Sequence, residues 1–315
     1  MSAGAATDRV QGFRFRRLDK PEEFRQAEEL QRSVAGSSGT GVVDPSLLRA
    51  LQDHGGLVVG AFADIYLAGC AISTIGWDGS VLYHYSHLTV VRPEYRNHHL
   101  GFRLKAFQRD EVLRLGLPEV RWLFDPLVSR NAWLYVRRLG SQPDDYLTHY
   151  FGRLPEAGEA GKETDRIRTR WAITSPRVED RLAGRLPTRA EDERRCAEAE
   201  RLIETEPGES GLRVPTAVAE PTGPRATIEI PFDLAALEEH EPASFRRWRH
   251  AVRDAFRAAF DRGLVVEDFT VVSIDHERRG FYLLSPAPGP SSPGAGPSAA
   301  TSPDPGAIIA GARHG

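Results

Sequence analysis

The sequence predicts an α/β (α+β) protein, a mixed central sheet flanked by helices and followed by a smaller C-terminal α/β segment. Three observations predict it. Apolar runs of strand length recur between residues 13 and 174, some alternating and some continuous. Between them lie stretches with helical start and stop signals. Past residue 225 a strand, a long amphipathic helix and two further strands follow one another.

Taken in order, residues 1–11 read as a frayed start, and "FRFRRLD" (13–19) alternates as a strand does. "PEEFRQAEELQRSVAG" (21–36) opens on Pro with acids in its first turn and closes on Gly, which marks a helix. "DPSLLRALQDHGG" (44–56) repeats the pattern, with Asp44 as N-cap and Gly55-Gly56 as the stop. Strands follow at 57–63 and 66–76, then an Asp-Gly turn at 78–79 and a long strand at 81–91. A helix runs from about Leu100 to Leu115, a strand covers 119–125, and a helix at 129–140 is stopped by Gly140. "DDYLTHYFG" and residues 166–174 read as strands. The domain expected from these elements covers 12–178. Residues 179–224, rich in Glu, Arg, Ala and Pro, read as a linker or helical connection. A strand–helix–strand segment occupies 225–285, its helix (242–263) carrying Phe245, Trp248, Val252, Phe256 and Phe260 as one apolar stripe. Residues 286–315, dominated by Pro, Gly and Ser, are expected to be disordered.

Composition narrows the function classes. Across 315 residues, 40% hydrophobic and 27% charged content describes a globular chain. A net charge of −3 argues against a general nucleic-acid binder. Two cysteines, Cys70 and Cys196, cannot build a disulfide framework, so a reducing compartment fits. The start "MSAGAATDRVQG" lacks the apolar core of a signal peptide, and no apolar run reaches membrane-helix length. A cytoplasmic protein with no membrane or nucleic-acid partner is the expectation. A homodimer stays open.

One stretch carries chemistry. In "VVRPEYRNHHLGFRLK" (90–105) a strand leaves through Pro93, crowds Arg96, Asn97, His98 and His99 into a turn, and enters a helix. Free N–H groups at a helix start favour an anion, phosphate above all, and successive N–H groups of the turn can form a concave nest.

These residues resemble motif A of the GNAT superfamily of acyl-CoA-dependent N-acyltransferases. That motif reads Q/R-x-x-G-x-G/A after a strand and a V-x-P-x-x-R lead-in. Arg96 stands at its first position, His99 at its fourth and Gly101 at its sixth. The order of elements over residues 12–175 is similar to that fold, and the remainder looks like a two-part subgroup with an extra C-terminal segment.

The resemblance implies a sheet that splays open after strand 81–91, with pantetheine in the gap against Thr89, Val90 and Val91. The pyrophosphate would lie on Arg96, Asn97, His98, His99, Leu100 and Gly101. The co-substrate would be acetyl-CoA or another short acyl-CoA, with no metal. The acceptor would be an amine, a small molecule such as an amino acid. A non-catalytic module of the same fold, binding CoA or a partner, is the alternative. Two departures from the pattern matter. His99 occupies a glycine position, where a Cβ limits backbone approach to phosphate. The family's tyrosine acid, four residues before the closing glycine, falls here on Val136. Tyr135 is adjacent, but one residue turns an α-helix face by about 100°.

Strand 81–91 supplies the remaining candidates. A period of two places Tyr83, Tyr85, His87 and Thr89 on one face and His84, Ser86 and Leu88 on the other. His87 and His84 are candidate general bases, because imidazole titrates near neutral pH; either also serves as an ordinary hydrogen-bonded histidine. Tyr85 and Tyr135 complete the catalytic candidates; Tyr135 also reads as a core or interface aromatic on an amphipathic helix. Asn131 is a pantetheine contact or a helix cap. Asp125 is an ammonium receptor or a turn cap. Arg246, Arg249, Arg253 and Arg257 form an anion-binding row or a solvated face.

Overall fold

The computed structural model describes residues 8–10, 12–35, 41–96, 98–154 and 162–287. The chain opens with β1 (Asp8–Val10), β2 (Phe13–Arg17), α1 (Pro21–Ala35), α2 (Pro45–Asp53), β3 (Leu57–Ala63), β4 (Tyr66–Trp77) and β5 (Leu82–Val91). After a 3-10 turn at Pro93–Tyr95 come α3 (Leu100–Arg114), β6 (Glu119–Phe124) and α4 (Ser129–Ala132), which continues as a π-helical turn, Trp133–Arg138. Then follow β7 (Gln142–Leu147), β8 (Arg153–Leu154), β9 (Lys162–Glu163), β10 (Arg166–Ala172), α5 (Pro176–Leu182) and α6 (Arg189–Glu198). The rest is β11 (Glu200–Arg201), β12 (Ile203–Pro207), β13 (Arg213–Val218), β14 (Ala226–Ile230), α7 (Leu234–His240), α8 (Pro242–Asp261), β15 (Leu264–Ile274) and β16 (Glu277–Pro286).

Eight strands form the main sheet in the order β1-β2-β3-β4-β5-β6-β10-β7. Neighbours are antiparallel except β5 and β6, which run parallel and pair at only two positions, His84 with Val120 and Tyr85 with Arg121. Beyond Tyr85 the two strands diverge. The alternation of strand residues sends them to two cores. Leu18, Val58, Phe62, Leu67, Cys70, Ile72 and Val90 meet Phe24, Leu30 and Leu48 of α1 and α2 on one face. Phe15, Leu57, Val59, Ala71, Val120 and Trp122 meet Leu104, Phe107 and Val112 of α3 on the other. Asp44 caps α2 by accepting from the Ser46 N–H, as expected.

Three expectations change. Residues 8–10 are a strand on β2 rather than part of a frayed start. Residues 179–224, read as a linker or helical connection, hold α6 and most of α5 but also β11 and the β12–β13 hairpin, which that reading did not foresee. The faces of β5 invert midway. A β-bulge lies where Ile72 pairs with Leu88 and Ser73 pairs with Ser86, leaving His87 without a partner. Past it, Leu88 and Val90 face α1 and α2, while Val91 packs with the α3-side core. The tail from residue 288 lies outside the described residues.

A second sheet, β11-β14-β16-β15, continues the same core through α8. Phe256 of α8 stacks on Tyr146 of β7 at 5.7 Å, and the Tyr282 hydroxyl donates to the Pro126 carbonyl at 2.9 Å. A buried ion cluster joins the halves. Asp268 of β15, fully enclosed, accepts from Arg137 (2.9 Å), Arg181 (2.7 Å) and Arg195 (3.3 Å). Arg137 also pairs with Asp192 at 2.7 Å.

Candidate active site

The site begins with the gap between β5 and β6. From Ser86 to Val91, β5 stays paired to β4 apart from the bulged His87, but has no ladder partner among the described residues on its other edge. Along the stretch Thr89 to Val91, the backbone groups that point away from β4 have no ladder partner among the described residues.

The turn that follows leads into the start of α3. His99 is the α3 N-cap and adopts the left-handed conformation, φ 56° and ψ 20°, with no side-chain cap on the helix. The turn thus has the backbone shape that glycine adopts with least strain, held instead by a histidine, a residue type enriched among such exceptions. With no side-chain cap from His99, the first-turn amide N–H groups at Leu100 and Gly101 have no intrahelical acceptor. Arg96 and His99 are exposed. His98 is exposed with its ring against Phe13, centroids 5.9 Å apart. Asn97 lies outside the described residues. One turn into α3, Arg103 has its Nε buried with no hydrogen-bond partner among the described residues, a cation that the motif pattern did not single out.

The two strand histidines occupy different surroundings. His84 is wholly buried, its Nε2 lies 3.2 Å from the Gly55 carbonyl oxygen, and burial pulls its pKa down to about 4. His87, the bulged residue, is exposed; the surrounding protein removes enough water to lower its pKa without enclosing it. Tyr85 is half-buried, and burial, with the phenols of Tyr150 and Tyr83 nearby, pushes it up to about 12.

The later helix does not follow the α-helical spacing on which the comparison of Val136 and Tyr135 rested. From Trp133 to Arg138 it is a π-helix, with the Leu139 N–H donating to the Leu134 carbonyl five residues back. A turn widened by one residue gives Tyr135, five positions before Gly140, the direction that an α-helix gives the residue four before. Val136 is fully buried in the core. Tyr135 sits between the edges of Trp122 and Phe124, both centroids 5.2 Å away, and burial pushes its hydroxyl up to about 12. Asn131 does not cap the helix, whose N-cap is Val128. Its side chain makes no hydrogen bond to a described residue.

A buried lysine marks the point where β5 and β6 part. Lys105 of α3 donates to Ser86 Oγ (3.0 Å) and Gln108 Oε1 (2.7 Å), and its Nζ lies 3.9 Å from the Trp122 ring centroid. Ser86 and Trp122 are the first residues past the last β5–β6 pair. Desolvation lowers the Lys105 pKa well below its ordinary value. The sequence hint was its rarity, one lysine of three in the chain.

Asp125 is not free to receive an ammonium group. Both its oxygens accept from Arg249 at 2.7 Å, and Oδ1 also accepts from the Leu127 N–H. Nor is the arginine row of α8 a solvated face throughout. Arg249 is buried, and Arg253 grips Asp165 (2.8 Å) and Glu163 (2.6 Å). His149, Glu163 and Asp165 bring ligand-type atoms together, but the Arg253 cation already answers both carboxylates.

No protein-family model matches the chain, and no curated protein sequence matches it. Solved structures do match. A chain of the NatC complex crystallised with Gag peptide and CoA is similar over 52% of this chain and 100% of that one, at 16% identity and a TM-score of 0.42. The ribosomal-protein-S18-alanine N-acetyltransferase of Escherichia coli is similar over 52% of this chain and 95% of its own, at 17% identity and a TM-score of 0.42. A GNAT-family acetyltransferase of Streptococcus pneumoniae is similar over 50% of this chain and 98% of its own, at 17% identity and a TM-score of 0.41. Half of the chain is similar to GNAT acetyltransferases. The splayed mixed sheet is present in the chain's own strand pairing, and the second sheet is added to it. Among the described residues no helix is long and apolar enough to cross a membrane.

Proposed function

We propose that the protein transfers an acetyl or other short acyl group from CoA to the amine of a small molecule by direct attack on the thioester. One observation carries this reading: the strand with the open edge ends in a turn that leads to an uncapped helix start. Backbone groups of Thr89, Val90 and Val91 would hold pantetheine, and Asn131 would add a side-chain contact. The pyrophosphate would rest on the α3 N–H groups beside His99, Leu100 and Gly101, with Arg96 as a cation and His98 as a further side-chain contact.

In the reaction the amine nitrogen bonds to the thioester carbon as the carbon–sulfur bond breaks. His87 is the better placed of the two histidines to take the amine proton, being exposed and largely neutral near pH 7. His84, enclosed and held near Gly55, suits a structural role. Tyr135 stays protonated at neutral pH and can return a proton to the departing thiolate.

Calorimetric titration with acetyl-CoA, succinyl-CoA and free CoA tests the reading. Micromolar binding is expected, weakened by about 1.5–3 kcal/mol in Arg96→Ala, the range for a hydrogen bond to a charged group. Absence of binding to all three would remove acyl transfer.

A further inference from the structure

The face of the sheet that carries Tyr85 is rich in arginine, and all but one of these cations pair with acids among the described residues. The register places Tyr85 beside Arg121, Arg121 beside Arg170, and Arg166 and Arg168 on the same face of β10. Arg121 pairs with Asp78 at 2.8 Å and with Glu119. Arg170 pairs with Glu119 at 2.7 Å, and Arg168 with Asp144 at 2.9 Å and Asp145 at 3.4 Å. Arg249 of α8 takes Asp125.

Arg166 is the exception. Among the described residues it has no carboxylate within ion-pair distance. Its Nη1 donates to the Asp165 carbonyl at 2.8 Å, and its other N–H groups make no hydrogen bond to a described residue. It is half-buried, and desolvation lowers its pKa. The nearby carboxylates of Asp125 and Asp165 act on it from a distance but are held by Arg249 and Arg253. A partly desolvated guanidinium with no direct acid partner among the described residues is costly unless something arrives to pair with it. Beside it stand two exposed aromatics. Phe151 has its ring centroid 5.2 Å from the guanidinium carbon, and Tyr150 meets Phe151 edge-on at 4.7 Å. Tyr150 also lies near enough to Tyr85 to raise its pKa.

We infer that Arg166 receives the carboxylate of the acceptor, so that the acyl acceptor is an amino acid whose side chain lies against Tyr150 and Phe151. This rests on the acyl-transfer reading and narrows it. A guanidinium offers a carboxylate two parallel N–H donors, and a planar aromatic wall suits an apolar side chain.

The test follows CoA-thiol release from acetyl-CoA with each common amino acid beside its carboxamide, for wild type, Arg166→Met and Arg166→Lys. Amino-acid binding to the CoA-free protein is titrated in parallel. The acid should exceed its amide in kcat/KM by about tenfold or more, the scale of one charge-assisted hydrogen bond. Arg166→Met should erase that ratio through the amino-acid KM and leave the acetyl-CoA KM unchanged. Arg166→Lys should keep part of it, and stands in should the Met variant fail to fold. Equal use of acid and amide, or a ratio unchanged in Arg166→Met, overturns the inference. So does a protein that binds CoA yet neither binds nor acylates any amino acid, an outcome that leaves acyl transfer to some other amine. Amino-acid binding that depends on Arg166 in a protein blind to CoA thioesters would remove acyl transfer and keep the site.

Discussion

His99 holds with strain a backbone angle that glycine holds freely, and its exposure means that no packing obscures the effect. Left-handed backbone costs a non-glycine residue about 1–2 kcal/mol, while glycine loses about 0.4–1 kcal/mol through its freer unfolded chain. His99→Gly should therefore be as stable as wild type or more stable by up to about 1.6 kcal/mol in urea denaturation, and keep its CoA affinity. His99→Val, β-branched at the same angle, should lose about 1–3 kcal/mol. A valine variant as stable as wild type would mean that the turn does not need this conformation. Lys105 poses the second residue-scale question. Its folded pKa lies below its unfolded value because burial disfavours the ammonium. The penalty is therefore full below the folded pKa and disappears as pH rises from there to the unfolded value of about 10.4. Wild-type stability should climb with alkalinity relative to Lys105→Met, the Met variant being the more stable at the acid end. Parallel stability–pH curves would show that the amine is not desolvated.

At the level of elements, two one-residue insertions shape the site. The bulge at His87 turns that ring out of the ladder and swaps the faces of β5. The π turn re-aims Tyr135. Tyr135→Phe removes one oxygen and keeps the edge contacts with Trp122 and Phe124. Stability should be unchanged, and kcat should fall by about 100-fold or more with little effect on acetyl-CoA binding, the scale of general acid–base catalysis. Full activity in the phenylalanine variant would assign the leaving-group proton to solvent. Most elements were legible because the chain writes their ends in capping chemistry: Asp44 before α2 and Pro45 at its first position, glycines with positive φ at 55, 116 and 140. The insertions were not, because neither has a compositional mark. "YHYSHLTVV" reads as a regular strand until hydrogen bonds show where register slips, and "NAWLYVRRLG" fits an α-helix as well as a π turn. The turn from Arg96 to Gly101 was visible as a local run of residues. The pairing of Asp125 with Arg249 was not, since 124 residues separate the partners and no local pattern encodes them.

For the whole molecule, the second sheet braces the site of the first. Asp268 accepts from Arg137, Arg181 and Arg195, cations contributed by the π turn, α5 and α6. Arg137 is two residues from Tyr135, so the carboxylate on β15 ties down the turn that aims the tyrosine. Such a cluster adds little net stability over an apolar one, but removing one member leaves buried charge uncompensated. Asp268→Ala should cost about 3–5 kcal/mol in urea denaturation. Asp192 still holds Arg137, so the fold should survive at low temperature with a loosened π turn. There kcat should drop while acetyl-CoA binding, which depends on the β5 edge and the α3 start, stays near wild type. Loss of CoA affinity in equal measure would mean that the second sheet supports the whole cleft rather than the tyrosine turn, and a variant within about 1 kcal/mol of wild type would mean that Asp192 alone suffices to join the halves.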